Sequence, residues 1–208
     1  MSKILLINGS PRKDGCTRTA LDEMIRIFQQ EGMETELVQI GTQAIHGCIS
    51  CNACAKTGKC VFDDIVNEIA PKLEAADGLV IGSPVYYASP NGTLISLMDR
   101  LMYSTPFSKQ MKVGAAVVSA RRSGATAALD TLNEYFTNRN MVLAGSTNWN
   151  IVHGFTPDDV RKDLEGLQTV RNLARNMAFL VRAVTDAKRK YALPKVELDA
   201  FTSFPDGK

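Results

Sequence analysis

Short apolar runs alternate along this chain with longer stretches in which apolar residues recur every three or four positions. Ile4-Leu5-Leu6-Ile7 precedes Leu21, Met24, Ile25 and Phe28, with Gly32 as a stop. Residues 35–40 precede Ile65, Val66, Ile69 and Leu73, opened by Asp63 and Asp64. Gly78-Leu79-Val80-Ile81-Gly82 precedes Leu94, Leu97, Met98 and Leu101, and residues 112–118 precede Leu129, Leu132, Tyr135 and Phe136. A run with no polar face suits a strand covered on both sides, and a spacing near 3.6 suits a helix with one buried stripe. A fifth strand is expected over residues 141–152, broken near Gly145. Thr156-Pro157-Asp158-Asp159 then offers an N-cap threonine, proline at the first helical position and acids in the first turn. The helix it opens is expected to run unbroken to about residue 186 on Val160, Leu164, Leu167, Val170, Ala174, Met177, Val181 and Val184.

Strict strand–helix alternation implies a parallel sheet wrapped by helices on both faces. With five strands, the expected fold is a flavodoxin-like three-layer α/β sandwich. In such a sheet ligands bind beyond the carboxyl ends of the strands, at the switch point. The 208 residues suit one domain, over residues 1–186, with an irregular C-terminal tail over 187–208. A net charge of +2 gives no reason to expect nucleic acid or an anionic membrane as partner. No segment has the apolar length to span a bilayer, and the run at Ile4–Ile7 is too short for a signal peptide. The cytoplasm is the expected compartment, where five cysteines point to metal or redox chemistry rather than to disulfides.

Three strand-end loops carry the candidate chemistry. The first, Asn8 to Thr17, is rich in glycine and hydroxyls and ends at a helix N-terminus, which favours an anion. Ser10 and Thr17 can donate to phosphate oxygens and Arg12 can neutralise their charge. The spacing matches neither a dinucleotide fingerprint nor a nucleoside triphosphate loop; an ordinary capped turn is the plain alternative. In the second loop, Tyr86 and Tyr87 stand between Pro84 and Pro90 and offer a face for a planar ring, or pack beneath the loop. The third, Ser119 to Thr126, combines small residues with Arg121 and Arg122, charges suited to an anionic ring edge, a phosphate or a subunit contact.

Asn-Gly-Ser-Pro-Arg after a strand, then Gly-Ser-Pro-Val-Tyr-Tyr with Pro90-Asn91-Gly92 and Asp99-Arg100, resembles the NADPH-dependent FMN reductase branch of the flavodoxin superfamily over roughly residues 3–180. The resemblance implies that Ser10, Arg12, Cys16 and Thr17 hold the FMN phosphate. It implies that Pro84, Val85, Tyr86, Tyr87 and Asn91 hold the isoalloxazine, and that Ser119, Arg121 and Gly124 border the ring. Cys16 departs from the asparagine common in relatives. The resemblance also implies a homodimer or homotetramer, and no catalytic side chain, because the flavin bears the chemistry.

Cys48-x2-Cys51-x2-Cys54-x5-Cys60 is a compact array. Its spacing suits a 4Fe-4S cluster, whereas zinc sites usually present two separated knuckles. It looks like the cysteine string of the iron–sulfur flavoproteins, although flavin-only relatives also keep cysteines here. Of the two histidines, His46 precedes the array and His153 follows the fifth strand, and surface positions are the plain reading of both. The leading functional reading is an FMN-dependent oxidoreductase with NAD(P)H as co-substrate and a quinone, nitro, azo or flavin acceptor. The alternative is an iron–sulfur flavoprotein exchanging electrons with ferredoxin. A non-redox phosphate-binding module is the third, and the aromatic second loop speaks against it.

Overall fold

The computed structural model describes residues 2–200 and 202. Its elements in chain order are β1 (Lys3–Asn8), α1 (Cys16–Gln30), β2 (Glu34–Gln39), α2 (Cys54–Thr57), α3 (Ile65–Ala75), β3 (Gly78–Tyr86), β4 (Ser89–Pro90), α4 (Gly92–Ser104), β5 (Val113–Ala120), α5 (Ala125–Asn138), β6 (Val142–Leu143), β7 (Ile151–His153), α6 (Pro157–Lys162) and α7 (Leu164–Lys190). The sheet runs β2-β1-β3-β5-β6 with parallel pairing throughout, and β7 continues the fifth position beside the far end of β5. The expected fifth strand is therefore present in two pieces, interrupted around Gly145 as its sequence suggested. The order in which strands are added reverses between β1 and β3, which places the switch point at their carboxyl ends.

The three layers follow from the pleat. Successive strand residues face opposite sides, so Leu5 and Ile7 enter one core and Ile4 and Leu6 the other. In β5, Ala116 and Val118 divide from Ala115 and Val117 in the same way. One core takes the stripes of α3, α4 and α5; the other takes those of α1 and α7. Arg100 is the exception on α4, a fully buried charge within an otherwise apolar face.

Two local expectations change. The last helix is not continuous, because Asp163 leaves helical geometry (ψ 77°) and its carboxylate accepts from the Gly166 N–H, capping a new helix. Leu164 consequently points to solvent rather than joining the apolar stripe. The final helix also extends to Lys190, beyond the expected end near 186. Of the tail, residues 201 and 203–208 lie outside the described residues. The second change is at β3, which continues past Gly82 to Tyr86 and folds back on β4 as a hairpin, pairing Val85 with Pro90 and Tyr86 with Ser89.

Candidate functional site

At the carboxyl edge of the sheet, buried hydrogen bonds tie one strand-end loop to the next. Asn8 closes β1 with no solvent exposure; its Oδ1 accepts from Ser10 N (3.1 Å) and its Nδ2 donates to Gln39 Oε1 (2.5 Å). Gln39 Nε2 in turn donates to the Ser10 carbonyl (2.6 Å), and the Arg12 N–H donates to Ser10 Oγ (3.1 Å). The loop leads into α1 at Gly15, which offers no side chain to cap the helix, and the first turn holds no acid. The leading N–H groups of a 15-residue helix thus present their partial positive charge to the loop.

The other two loops close on this one. Thr17 and Ser119 bring their hydroxyls within 2.8 Å of each other, joining α1 to the end of β5. Asn91 Nδ2 donates to the Gly9 carbonyl (2.6 Å), its Oδ1 accepts from Thr93 N as the cap of α4, and its own N–H donates to Ser83 Oγ (3.0 Å). Gly9 admits this closeness: a Cβ there would stand 2.5 Å from Leu94 Cδ2 and 2.8 Å from the Gly82 carbonyl. Pro84 and Val85 are half-buried on the extension of β3, and the hairpin tip beyond them is strained. Tyr87 and Ala88 both hold positive φ (49° and 61°), a conformation costing a residue with a Cβ roughly 1 kcal/mol. Tyr87 is wholly exposed and Tyr86 half so. Gly124, at φ 82°, lets the tip approach, since a Cβ there would lie 2.9 Å from Ala88 Cα.

Arg12 and Arg121 are exposed, and Arg121 lies over the ring of Phe155 (5.7 Å), an exposed aromatic after β7. The Cys16 thiol donates to the Gly154 carbonyl (3.6 Å), and burial pushes its pKa up, so the side chain braces α1 against the loop after β7. Its backbone N–H stays at the helix N-terminus. Ser10, Arg12, Cys16, Thr17, Pro84, Val85, Tyr86, Tyr87, Asn91, Ser119, Arg121 and Gly124 all belong to this one edge. Its bracing residues Asn8, Gln39 and Ser83, and the aromatic Phe155, were not anticipated. A strand ending on a buried polar residue was the available signal for Asn8. Gln39 carried no comparable signal, since only pairing of β1 with β2 brings it to Asn8.

The second centre lies outside the sheet, in the stretch between β2 and α3. Cys48, Cys51, Cys54 and Cys60 line one small cavity together with Arg100, Tyr103 and Phe62. All five cysteines of the chain are free thiols. Among the described residues no three His, Cys, Asp or Glu side chains converge closely enough to hold a single ion. A four-iron cluster takes one thiolate per iron, so its ligands surround a body rather than meet at a point. The chain turns through left-handed geometry at Ser50 (φ 53°) and Asn52 (φ 55°), between Cys48 and Cys54, and at Gly58 (φ 67°), between Cys54 and Cys60. His46 stacks on Phe62 (5.0 Å), and His153 lies exposed with Nδ1 3.7 Å from Asp163; neither is among the residues lining the cysteine cavity.

A larger concavity of about 840 Å³ lies between α4 and α5 and shares Cys48 with the cysteine stretch. Asp99 and Glu134 line it together with Arg139 at the carboxyl end of α5, a surface of mixed charge.

The NADPH-dependent FMN reductase family matches residues 2–156, the part holding the entire strand-end edge and the cysteine array. The chain belongs to that family. It is accordingly a flavin oxidoreductase. Among curated relatives, an iron–sulfur flavoprotein of Methanocaldococcus jannaschii is 34% identical over 88% of this chain and 98% of its own length. The NAD(P)H:quinone oxidoreductase of Methanothermobacter marburgensis has a similar fold, with a TM-score of 0.63 at 16% identity over 85% of this chain and 96% of that one. An archaeal flavodoxin superposes with a TM-score of 0.57 at 16% identity, over 86% and 99% of the two chains. The flavodoxin-like three-layer fold of this FMN reductase family member is thus shared. No helix of the described residues is long and apolar enough to cross a membrane.

Proposed function

We propose that this FMN reductase family member is an iron–sulfur flavoprotein, binding FMN at the strand-end edge and a 4Fe-4S cluster at Cys48, Cys51, Cys54 and Cys60. The observation that carries the cluster is the single cavity lined by all four thiols. Four thiolates crowded together repel one another unless metal or protons compensate, and a soft all-sulfur donor set suits iron–sulfur. The Methanocaldococcus relative, an iron–sulfur flavoprotein by name, supports the same reading. For FMN, the uncapped α1 N-terminus with Ser10, Arg12 and Thr17 suits one terminal phosphate, and the exposed tip at Tyr86–Tyr87 with Arg121 suits a ring beside it. Bound FMN supplies two-electron chemistry and a cluster supplies single-electron transfer.

Electrons then enter by either of two routes. One is one-electron exchange with a ferredoxin. The other is hydride from NAD(P)H, with a quinone, nitro, azo or flavin acceptor. The second is favoured by the open edge at Arg121 and Phe155, where a cation and an aromatic face stand ready for a nicotinamide nucleotide. Assembly as a dimer or tetramer, and residence in the cytoplasm with five reduced thiols, belong to the same proposal.

The test is anaerobic purification followed by an absorption spectrum and by flavin, iron and sulfide analysis. One FMN with four irons and four sulfides per chain is the expected result; recovery of FAD, or no iron after reconstitution, defeats the corresponding half. Bleaching by NADH or NADPH against bleaching by reduced ferredoxin then separates the two routes.

A further inference from the structure

Cys60 is held as none of the other three cysteines is. The Asn67 side chain grips its peptide on both sides: Oδ1 accepts from the Cys60 N–H (3.0 Å), and Nδ2 donates to the Cys60 carbonyl (3.0 Å) and to that of Phe62 (3.1 Å). The sulfur is held separately. Arg100 Nε donates to Cys60 Sγ at 3.1 Å, inside the usual reach of a hydrogen bond to sulfur.

The rest of the guanidinium is equally committed. Its two terminal nitrogens engage Asp64 as a fork, at 2.7 and 2.9 Å. They donate also to the His46 carbonyl (3.2 Å) and the Phe62 carbonyl (3.4 Å), with the guanidinium carbon 4.8 Å above the Phe62 ring. Asp64 meanwhile caps α3 through Val66 N. One buried side chain on the rigid α4 therefore grasps both ends of the cysteine stretch, at His46 and at Cys60 to Asp64. Cys48 and Cys51 are exposed. A charge buried in an apolar helix face is costly unless each donor is used. Burying Arg100 merely to pair with Asp64 would not require a third direction of donation, toward sulfur.

We propose that Arg100 is a positioning residue for the cluster: it fixes Cys60 as the preformed ligand around which the other three cysteines close, and its Nε–H···Sγ bond makes the bound cluster easier to reduce. This rests on the cluster reading above. A donor aimed at a ligand sulfur stabilises the more negative, reduced state, and hydrogen bonds to sulfur are among the determinants of cluster potential. Asp64 nearly cancels the guanidinium charge, so the directed bond rather than net charge is the lever.

Two variants isolate that bond. Arg100→Lys keeps the positive charge but loses the fork and Nε. The double variant Arg100→Met with Asp64→Asn removes the bond without changing net charge. Each is reconstituted anaerobically beside the wild type and titrated electrochemically, with the reduced cluster followed by EPR and iron, sulfide and FMN measured throughout. The expected result is a cluster in both variants that is roughly tenfold harder to reduce, a downward shift of about 59 mV for one electron. Loaded variants that titrate at the wild-type potential overturn the proposal while leaving the cluster reading intact; a wild type that takes up no iron and sulfide overturns both. Hydrogen exchange on the intact wild type before reconstitution covers variants that fail to fold. The Cys60 amide should exchange at least tenfold more slowly than that of Cys51, and equal rates would remove the preformed ligand.

Discussion

The strand-end edge and the cysteine stretch are ordered by opposite means. At the edge, each loop leaves a strand whose position the sheet already sets, and short bonds such as Thr17–Ser119 and Asn91–Gly9 only finish the shape. Between β2 and α3 the chain has one regular element, the four-residue α2, and long-range side-chain bonds from α4, chiefly those of Arg100 with one from Tyr103 to Asn52, do what a sheet does elsewhere. An edge of the first kind is available before its ligand arrives. A stretch of the second kind takes much of its order from a few side chains and from whatever occupies the cavity, because exposed backbone without apolar burial contributes little stability of its own.

Breaking each region should leave the other standing. The largest effect is expected from Arg100→Met alone, which strands the Asp64 carboxylate and frees both ends of the cysteine stretch. Arg100 is buried while the Asp64 side chain keeps 27% of its exposure, so the cost is at most the roughly 3–5 kcal/mol of losing one partner of a fully buried pair. Calorimetry should show the fall in melting temperature, with FMN affinity unchanged. If FMN is lost in proportion, the two regions are one unit.

Asn91→Ala is the reciprocal test. It removes the α4 cap, worth about 1 kcal/mol, and orphans the buried Gly9 carbonyl, at about 1–3 kcal/mol. Fluorescence titration should give weaker FMN binding, with iron content unaltered; unchanged affinity would show that this brace does not shape the FMN site. Arg12→Ala removes only an exposed charge, so stability should hold while FMN affinity falls by about 1.5–3 kcal/mol if the guanidinium meets the phosphate. An unchanged dissociation constant would place Arg12 outside the site.

The last test concerns the segment just beyond α4, the helix that carries both Arg100 and the Asn91 cap. Lys109 is buried there, donating to the Thr105 and Phe107 carbonyls, and burial brings its pKa down from 10.5 to about 8. Between those two values the unfolded chain holds a proton that the folded chain has released. Stability should therefore rise with pH across that window. Lys109→Met should flatten the rise in melting temperature between pH 8 and 10; identical pH profiles for variant and wild type would mean that Lys109 stays charged in the fold.

The layer architecture, the direction of the sheet and the loops that carry the candidate chemistry were legible in the chain, because burial on one or both faces writes its period directly into the order of apolar residues. Local capping was legible too: Thr156 caps α6 as expected, and the structure adds that Asp159, one of the first-turn acids, bonds back to it. Asp163 was missed because a single interior acid reads as a solvated surface residue until its carboxylate is seen on Gly166 N. The four cysteines announced themselves by spacing. The partners of Arg100, Asn67 and Gln39 did not, since what each holds lies at other points of the chain and comes within reach only when α4 packs beside the cysteine stretch and β2 beside β1. Periodicity records which face of an element is buried. Which polar groups meet inside is decided by tertiary packing, because a hydrogen bond depends on a few ångströms of separation in space and leaves no regular trace in sequence.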